Sequence, residues 1–236
     1  MRRRNPLLLL HLRVVRAQVA EPKKLCMKAG VLFASSVAGA NVAKGCSMPD
    51  NRKLYISDWH YGHQNILAFD NRPFKTVEDM NAALIERWNS AVGASDIVYM
   101  LGDMFWCNMQ EAIAVLEQLN GNIFLIKGNH DRCNDGRFLK KFVKVTEYLE
   151  VEDAGRKVVL CHYPIPCFKN HYYGWYHLYG HVHSSFEWNM MERNRYLMQE
   201  LYGIPCHMYN VGAMMPWMDY TPRTLDEIRG YNEHQD

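Results

Sequence analysis

Lys53-Leu54-Tyr55-Ile56-Ser57-Asp58-Trp59-His60 is the stretch from which the rest of the chain can be read. Four residues suited to a buried strand stop abruptly at a serine, a carboxylate and an imidazole. Asp58 and His60 are two apart, so continued strand alternation would aim both at one face, as two ligands of one ion require.

Outward from this stretch, Ile97 to Leu101, Ile123 to Lys127, Val158 to Cys161 and Tyr176 to Tyr179 are apolar runs of strand length, and each ends at a polar cluster. Helical patterns separate the first three strands. Thr76 can cap a helix in which Met80, Leu84 and Trp88 recur every four residues, and Asn108 can cap another that runs through Ile113 and Leu116 to the stop at Asn120-Gly121. Strands alternating with helices predict an α/β architecture, in which ligands gather beyond the carboxyl ends of the strands. Ser184 to Tyr209 is the one long connection, and Met191, Met198 and Tyr202 predict a helix over the site.

After Asp58-Trp59-His60, the polar clusters are Gly102-Asp103, Gly128-Asn129-His130-Asp131, His162 and Gly180-His181-Val182-His183. Glycines placed immediately before candidate ligands suit a chain that turns sharply against an ion or phosphate. Carboxylate, imidazole and amide oxygen form a borderline-hard donor set for manganese, iron, zinc or similar divalent ions, while so many histidines disfavour calcium. The seven cysteines are scattered, form no Cys-x-x-Cys pair, and read as small buried hydrophobes of a protein in a reducing cytoplasm. The isolated His11, His171, His177, His207 and His234 read as packed or surface residues.

Charge divides the chain in two. Residues 1–47 hold nine of the 27 lysines and arginines and one of the 25 acidic residues, a net +8, which leaves the remainder at −6. An acidic body argues against a broad phosphate-neutralising face, so no stable nucleic-acid partner is expected. Within the leader, Arg2 to Arg4 precede Leu7 to Leu10, and Lys23, Lys24 and Lys28 precede an apolar run from Ala29 to Ala40. Met48 reads as the natural start, with 1–47 as upstream sequence and 48–236 as one domain. The alternative is an exported protein with a secretory or lipoprotein leader, which would bring a membrane into play.

The ordered motifs resemble those of the calcineurin-like metallophosphoesterases: Asp-x-His, Gly-Asp, Gly-Asn-His-Asp, a lone His and Gly-His-x-His, from Lys53 to about Ile228. A narrower resemblance is to uncharacterised bacterial and phage phosphoesterases. It is carried by Ser57-Asp58-Trp59-His60-Tyr61-Gly62-His63-Gln64-Asn65-Ile66 and Asn71-Arg72-Pro73-Phe74, with Asn210-Val211-Gly212 and Thr224 to Ile228 as the last strand and helix. The resemblance implies a four-layer α/β/β/α fold, a two-sheet sandwich flanked by helices. It also implies two divalent ions, manganese foremost with iron, zinc, nickel or magnesium as alternatives. By motif, Asp58, His60 and His183 would hold one ion, Asn129, His162 and His181 the other, and Asp103 would bridge them.

The implied activity is hydrolysis of a small phosphomonoester or phosphodiester, nucleotides included, by a metal-bridging hydroxide attacking phosphorus in line. His130 is the candidate general acid and Asp131 its orienter, since His130 follows a ligand without being one. Arg72 is a candidate phosphate contact; His63 either contacts phosphate or braces the Asp58 loop; Lys127 reads as a surface ion pair. Tyr172, Tyr173, Trp175 and Tyr176 read as core or rim packing before a base-stacking platform. Two competing functions are a nuclease using the basic leader as an arm, weakened by the acidic body, and a non-catalytic scaffold, weakened by the complete ligand set.

Overall fold

The computed structural model describes residues 51–233, so the expectations for the leader, the Met48 start, His11 and His234 lie outside the described residues. Strand β1 (Lys53–Ile56) has Leu54, Tyr55 and Ile56 buried, because both faces of its sheet are covered. It lies parallel to β2 (Ile97–Met100), followed by β3 (Asn122–Ile126) and β4 (Lys144–Thr146), with β9 (Arg223–Thr224) antiparallel on its other side. The second sheet runs β5 (Tyr148–Asp153), β6 (Arg156–Cys161), β7 (Tyr176–Tyr179), β8 (His207–Asn210); only β5–β6 is antiparallel. Five strands and four strands with helices outside give the expected α/β two-sheet fold.

Both expected caps form. Thr76 Oγ1 accepts the Asp79 N–H at 3.1 Å and starts α2 (Val77–Ala91), which follows a short α1 (Ile66–Phe69) and buries Met80, Leu84 and Trp88 on one face. Asn108 Oδ1 accepts the Glu111 N–H at 2.9 Å and starts α3 (Met109–Leu116). A short α4 (Gly136–Leu139) precedes β4. The long connection becomes α5 (Phe186–Tyr196), capped by Ser185, and continues as a π-helical turn, Leu197–Leu201. Met191 and Met198 pack on a small second core with Val159, Tyr179 and Met208, whereas Tyr202 is exposed. The last element is α6 (Leu225–Glu233).

The sheets meet at the carboxyl ends of β1 and β7. Ser57 N–H donates to the Val211 carbonyl and Val211 N–H to the Tyr179 carbonyl, each at 2.8 Å. This seam, extended by a parallel bridge between Ser57 and Gly212, brings ligand loops from both sheets to one place.

The five cysteines among the described residues are free, but only Cys206 is buried and Cys167 is exposed. Reading all of them as buried hydrophobes is corrected accordingly. His177 is buried, as is His171, while Lys127 faces Glu147 at 4.0 Å on the surface. Tyr176 belongs to the core, and Tyr172 and Tyr173 are exposed away from the ligand cavity.

Candidate metal centre

Trp59 anchors the first ligand loop from within. Its buried ring meets Trp88 edge-on at 5.2 Å and Phe105 at 6.4 Å, which leaves Asp58 and His60 to face the site. They do so by a route the pleat does not predict. Asp58 (φ 53°), His60 (φ 50°), Asp103 (φ 52°), His181 (φ 69°) and His183 (φ 49°) are all left-handed, five of the ten such non-glycine residues among the described residues. The strand ends at Ile56, and consecutive sharp turns, not alternation, aim the side chains. Strain of this kind persists where the surrounding structure over-determines it.

Two glycines are steric necessities. A Cβ on Gly128 would strike Asp103 Oδ1, and one on Gly180 would strike Ser57 Oγ and Asp58 Oδ2. Side chains at either position would push the carboxylates out of the centre.

Two overlapping groups of donors converge: Asp58, His60 and His183, and Asp58, Asp103 and His162. Asp103 Oδ2 stands 3.5 Å from His162 Nε2 and 3.9 Å from His60 Nε2, and Asp58 Oδ1 stands 3.8 Å from His183 Nε2. Donors bound to one ion at about 2.1 Å each cannot be more than about 4.2 Å apart, so all three spacings fit shared ions. Asn129 Oδ1 completes the far side, 3.0 Å from both His162 Nε2 and His181 Nδ1. The buried His60 Nε2 has no hydrogen-bond partner, an orphan that a cation would satisfy.

The electrostatics follow from packing two buried carboxylates among imidazoles. Burial pulls His60 down to about 3, with His183 and Arg72 adding to the effect. Burial also opposes charge on His162 and on Asp103, but their mutual contact outweighs it, raising His162 to about 9 and holding Asp103 near 2. Burial works against His183 as well, yet its bond to Asp70 raises it. Proton and cation therefore compete for this centre.

The calcineurin-like phosphoesterase family profile matches residues 52–206, the span that carries every one of these donors. The chain belongs to the calcineurin-like phosphoesterase family. An uncharacterized protein of Methanocaldococcus jannaschii is 42% identical over 137 residues, covering 57% of this chain and 71% of its own. The gene 66 protein of Mycobacterium phage L5 is 35% identical over 80 residues, 33% of this chain and 38% of the phage protein. A crystal structure of a protein of unknown function from Aquifex aeolicus aligns over 77% of this chain and all of its own, at 25% identity and a TM-score of 0.57. Family and donor groups together make this protein a metal-dependent phosphoesterase.

In this phosphoesterase two expectations for individual residues are revised. Asp131 does not touch the His130 ring; its carboxylate accepts backbone N–H groups from Asp103 (2.9 Å), Met104 (3.0 Å) and Gly128 (2.8 Å). Burial nevertheless raises its pKa. Neighbouring side chains diverge at this turn, so Asp131 points inward and ties two ligand loops together. Arg72 is buried, its guanidinium consumed by Asp70 and by the carbonyls of Asp58 and Trp59. It is therefore not placed to contact phosphate. His63 does line the cavity, stacked on Trp106 at 4.2 Å.

His130 is exposed at the mouth. Its backbone N–H donates to Asp103 Oδ1 at 2.9 Å, and its ring meets Trp106 edge-on at 4.7 Å. Trp106, Phe69 and Phe186 line the cavity, which has a volume of about 520 Å³, and Asp70 bonds His183; the sequence reading named none of the four. No helix among the described residues is long and apolar enough to cross a membrane.

Proposed function

We propose that this phosphoesterase hydrolyses a small phosphomonoester or phosphodiester using two divalent ions, manganese foremost. Asp58, His60 and His183 hold one ion, Asn129, His162 and His181 the other, and Asp103 lies between. The observation that carries this reading is Asp103 Oδ2, set between His60 Nε2 and His162 Nε2 of the two groups. Bound there, the ions supply Lewis-acid stabilisation of phosphoryl oxygens and lower the pKa of water.

The chain's own residues then arrange the ester. His130 stands where the ligand cavity meets a second cavity of about 600 Å³, lined by Phe105, Trp106, Asn108, Arg132, Asn134 and Phe138. A proton donor must stand within hydrogen-bond reach of the departing oxygen, so with phosphorus at the ligand groups the leaving group extends past His130 into this second cavity and His130 protonates it. Trp106, packed against both His63 and His130, fixes the position of the donor ring. Cavities of this size suit a small molecule rather than a polymer. The acidic body adds no basic face for nucleic acid.

The test is the full chain with Mn²⁺ on bis(p-nitrophenyl) phosphate and p-nitrophenyl phosphate, alongside Asp103→Asn. Hydrolysis by the wild type and its loss in the variant are expected. Equal rates in the two proteins would overturn the mechanism.

A further inference from the structure

Asp70 and Arg72 form an ion pair whose side chains are 1% and 0% exposed. Burying such a pair is seldom favourable for stability alone, because desolvation offsets the attraction. Where its hydrogen bonds end is therefore informative. Asp70 Oδ1 lies 2.7 Å from His183 Nδ1, and Asp70 Oδ2 accepts from Arg72 Nε at 3.0 Å and Nη2 at 2.9 Å. Arg72 in turn donates through Nη2 to the Asp58 carbonyl at 2.9 Å and through Nη1 to the Trp59 carbonyl at 2.8 Å.

Each oxygen bond in this network ends on a residue of the first ligand group or on Trp59 between two of its members. The network also crosses the sandwich: Asp58 follows β1 of one sheet and His183 follows β7 of the other. Asp70 fixes the proton of His183 on Nδ1 and leaves Nε2, the atom facing Asp58, free to bind. Arg72 fixes the left-handed turn that presents Asp58 and His60. Across the centre, His162 Nδ1 donates only to the Leu101 carbonyl at 2.7 Å, and His181 Nδ1 faces its fellow donor Asn129 Oδ1 rather than a carboxylate behind it.

We infer that the Asp70–Arg72 pair is a clamp that sets ion affinity at the Asp58/His60/His183 position alone, its two members acting as positioning residues for ligands from different sheets. This rests on reading the centre as dinuclear. The experiment is Mn²⁺ titration of the metal-free full chain by calorimetry, with elemental analysis after dialysis, for wild type, Asp70→Ala and Asp70→Asn. Wild type should bind two ions. Asp70→Ala should keep one and weaken the other by roughly 10- to 100-fold, the range for losing a carboxylate behind a ligating histidine. Asp70→Asn, which retains an acceptor for His183, should recover part of that loss.

Equal weakening of both ions would make the pair generic packing and overturn the inference, as would no change at either. A wild type that binds no Mn²⁺ would instead overturn the dinuclear reading. Melting of the metal-free variants separates folding from binding; if Asp70→Ala does not fold, the isosteric Asp70→Asn is read by the same one-ion criterion.

Discussion

On one side of the centre, Asp58, His60 and His183 are buried, backed by a carboxylate and a guanidinium and wedged by Trp59. On the other, Asn129 is exposed and His181 half-buried beside a fully buried His162, whose Nδ1 rests on a backbone carbonyl. Both sides border the cavity, through His60 and His183 on one and Asn129 and His181 on the other, but only the first is sealed from behind by the buried Asp70–Arg72 pair. Ligands braced in this way would bind an ion more tightly than ligands without such support.

The largest expected effect ignores this asymmetry. Asp103→Asn keeps an oxygen for the His130 N–H but removes the charge shared by both sides, so turnover should fall by roughly 10³-fold or more. Retained rate with both ions bound would break the picture. Next, His60→Ala should lose about tenfold more metal affinity than His181→Ala, since the sealed side holds its ion with prearranged ligands. Identical losses by titration would erase the distinction between the sides. His130→Ala should slow esters of poor leaving groups by about 10²-fold and good ones far less, with both ions retained. Metal loss in that variant would make His130 a ligand.

The smallest effect reaches both sides equally through β7, the strand that delivers His181 and His183. His177 on that strand bonds by Nδ1–H to the Val159 carbonyl at 3.1 Å and accepts the Ile165 N–H on Nε2 at 3.0 Å. The pair of bonds needs a neutral ring, and burial lowers its pKa to about 4. Between pH 6.5 and 4 the unfolded chain takes up a proton that the folded chain refuses, so stability declines as pH falls through that window. The full effect is on the order of 3 kcal/mol. Melting of wild type against His177→Asn should diverge there, and parallel curves would remove His177 as the cause.

Much of this was legible because chemistry and periodicity agree locally. The strand ends, both caps and the five polar clusters depend on residues close in sequence, and the structure has the caps where the pattern put them and the strand ends on it or one residue short. What escaped depends on distance or on backbone detail. Asp70 looks like any loop aspartate until the fold brings it to His183, 113 residues away. Arg72 and Asp131 have the right chemistry for phosphate and for orienting a ring, but the direction of a loop side chain is a tertiary fact. The β5–β6 hairpin turns on Ala154 and Gly155, both left-handed (φ 47° and 78°), and an alanine there lacks the Asn-Gly signature of such turns.

The left-handed ligand residues also bear on how this centre persists. A histidine or aspartate held at positive φ sits about 1 kcal/mol or more above its preferred backbone, whereas glycine rests there at ease. At Asp58, His60, His181 or His183, the replacements that would most relax the chain are thus among those that abolish an ion ligand. Drift toward a sturdier fold runs downhill into an inert protein, and only selection for chemistry keeps the strained residues in place.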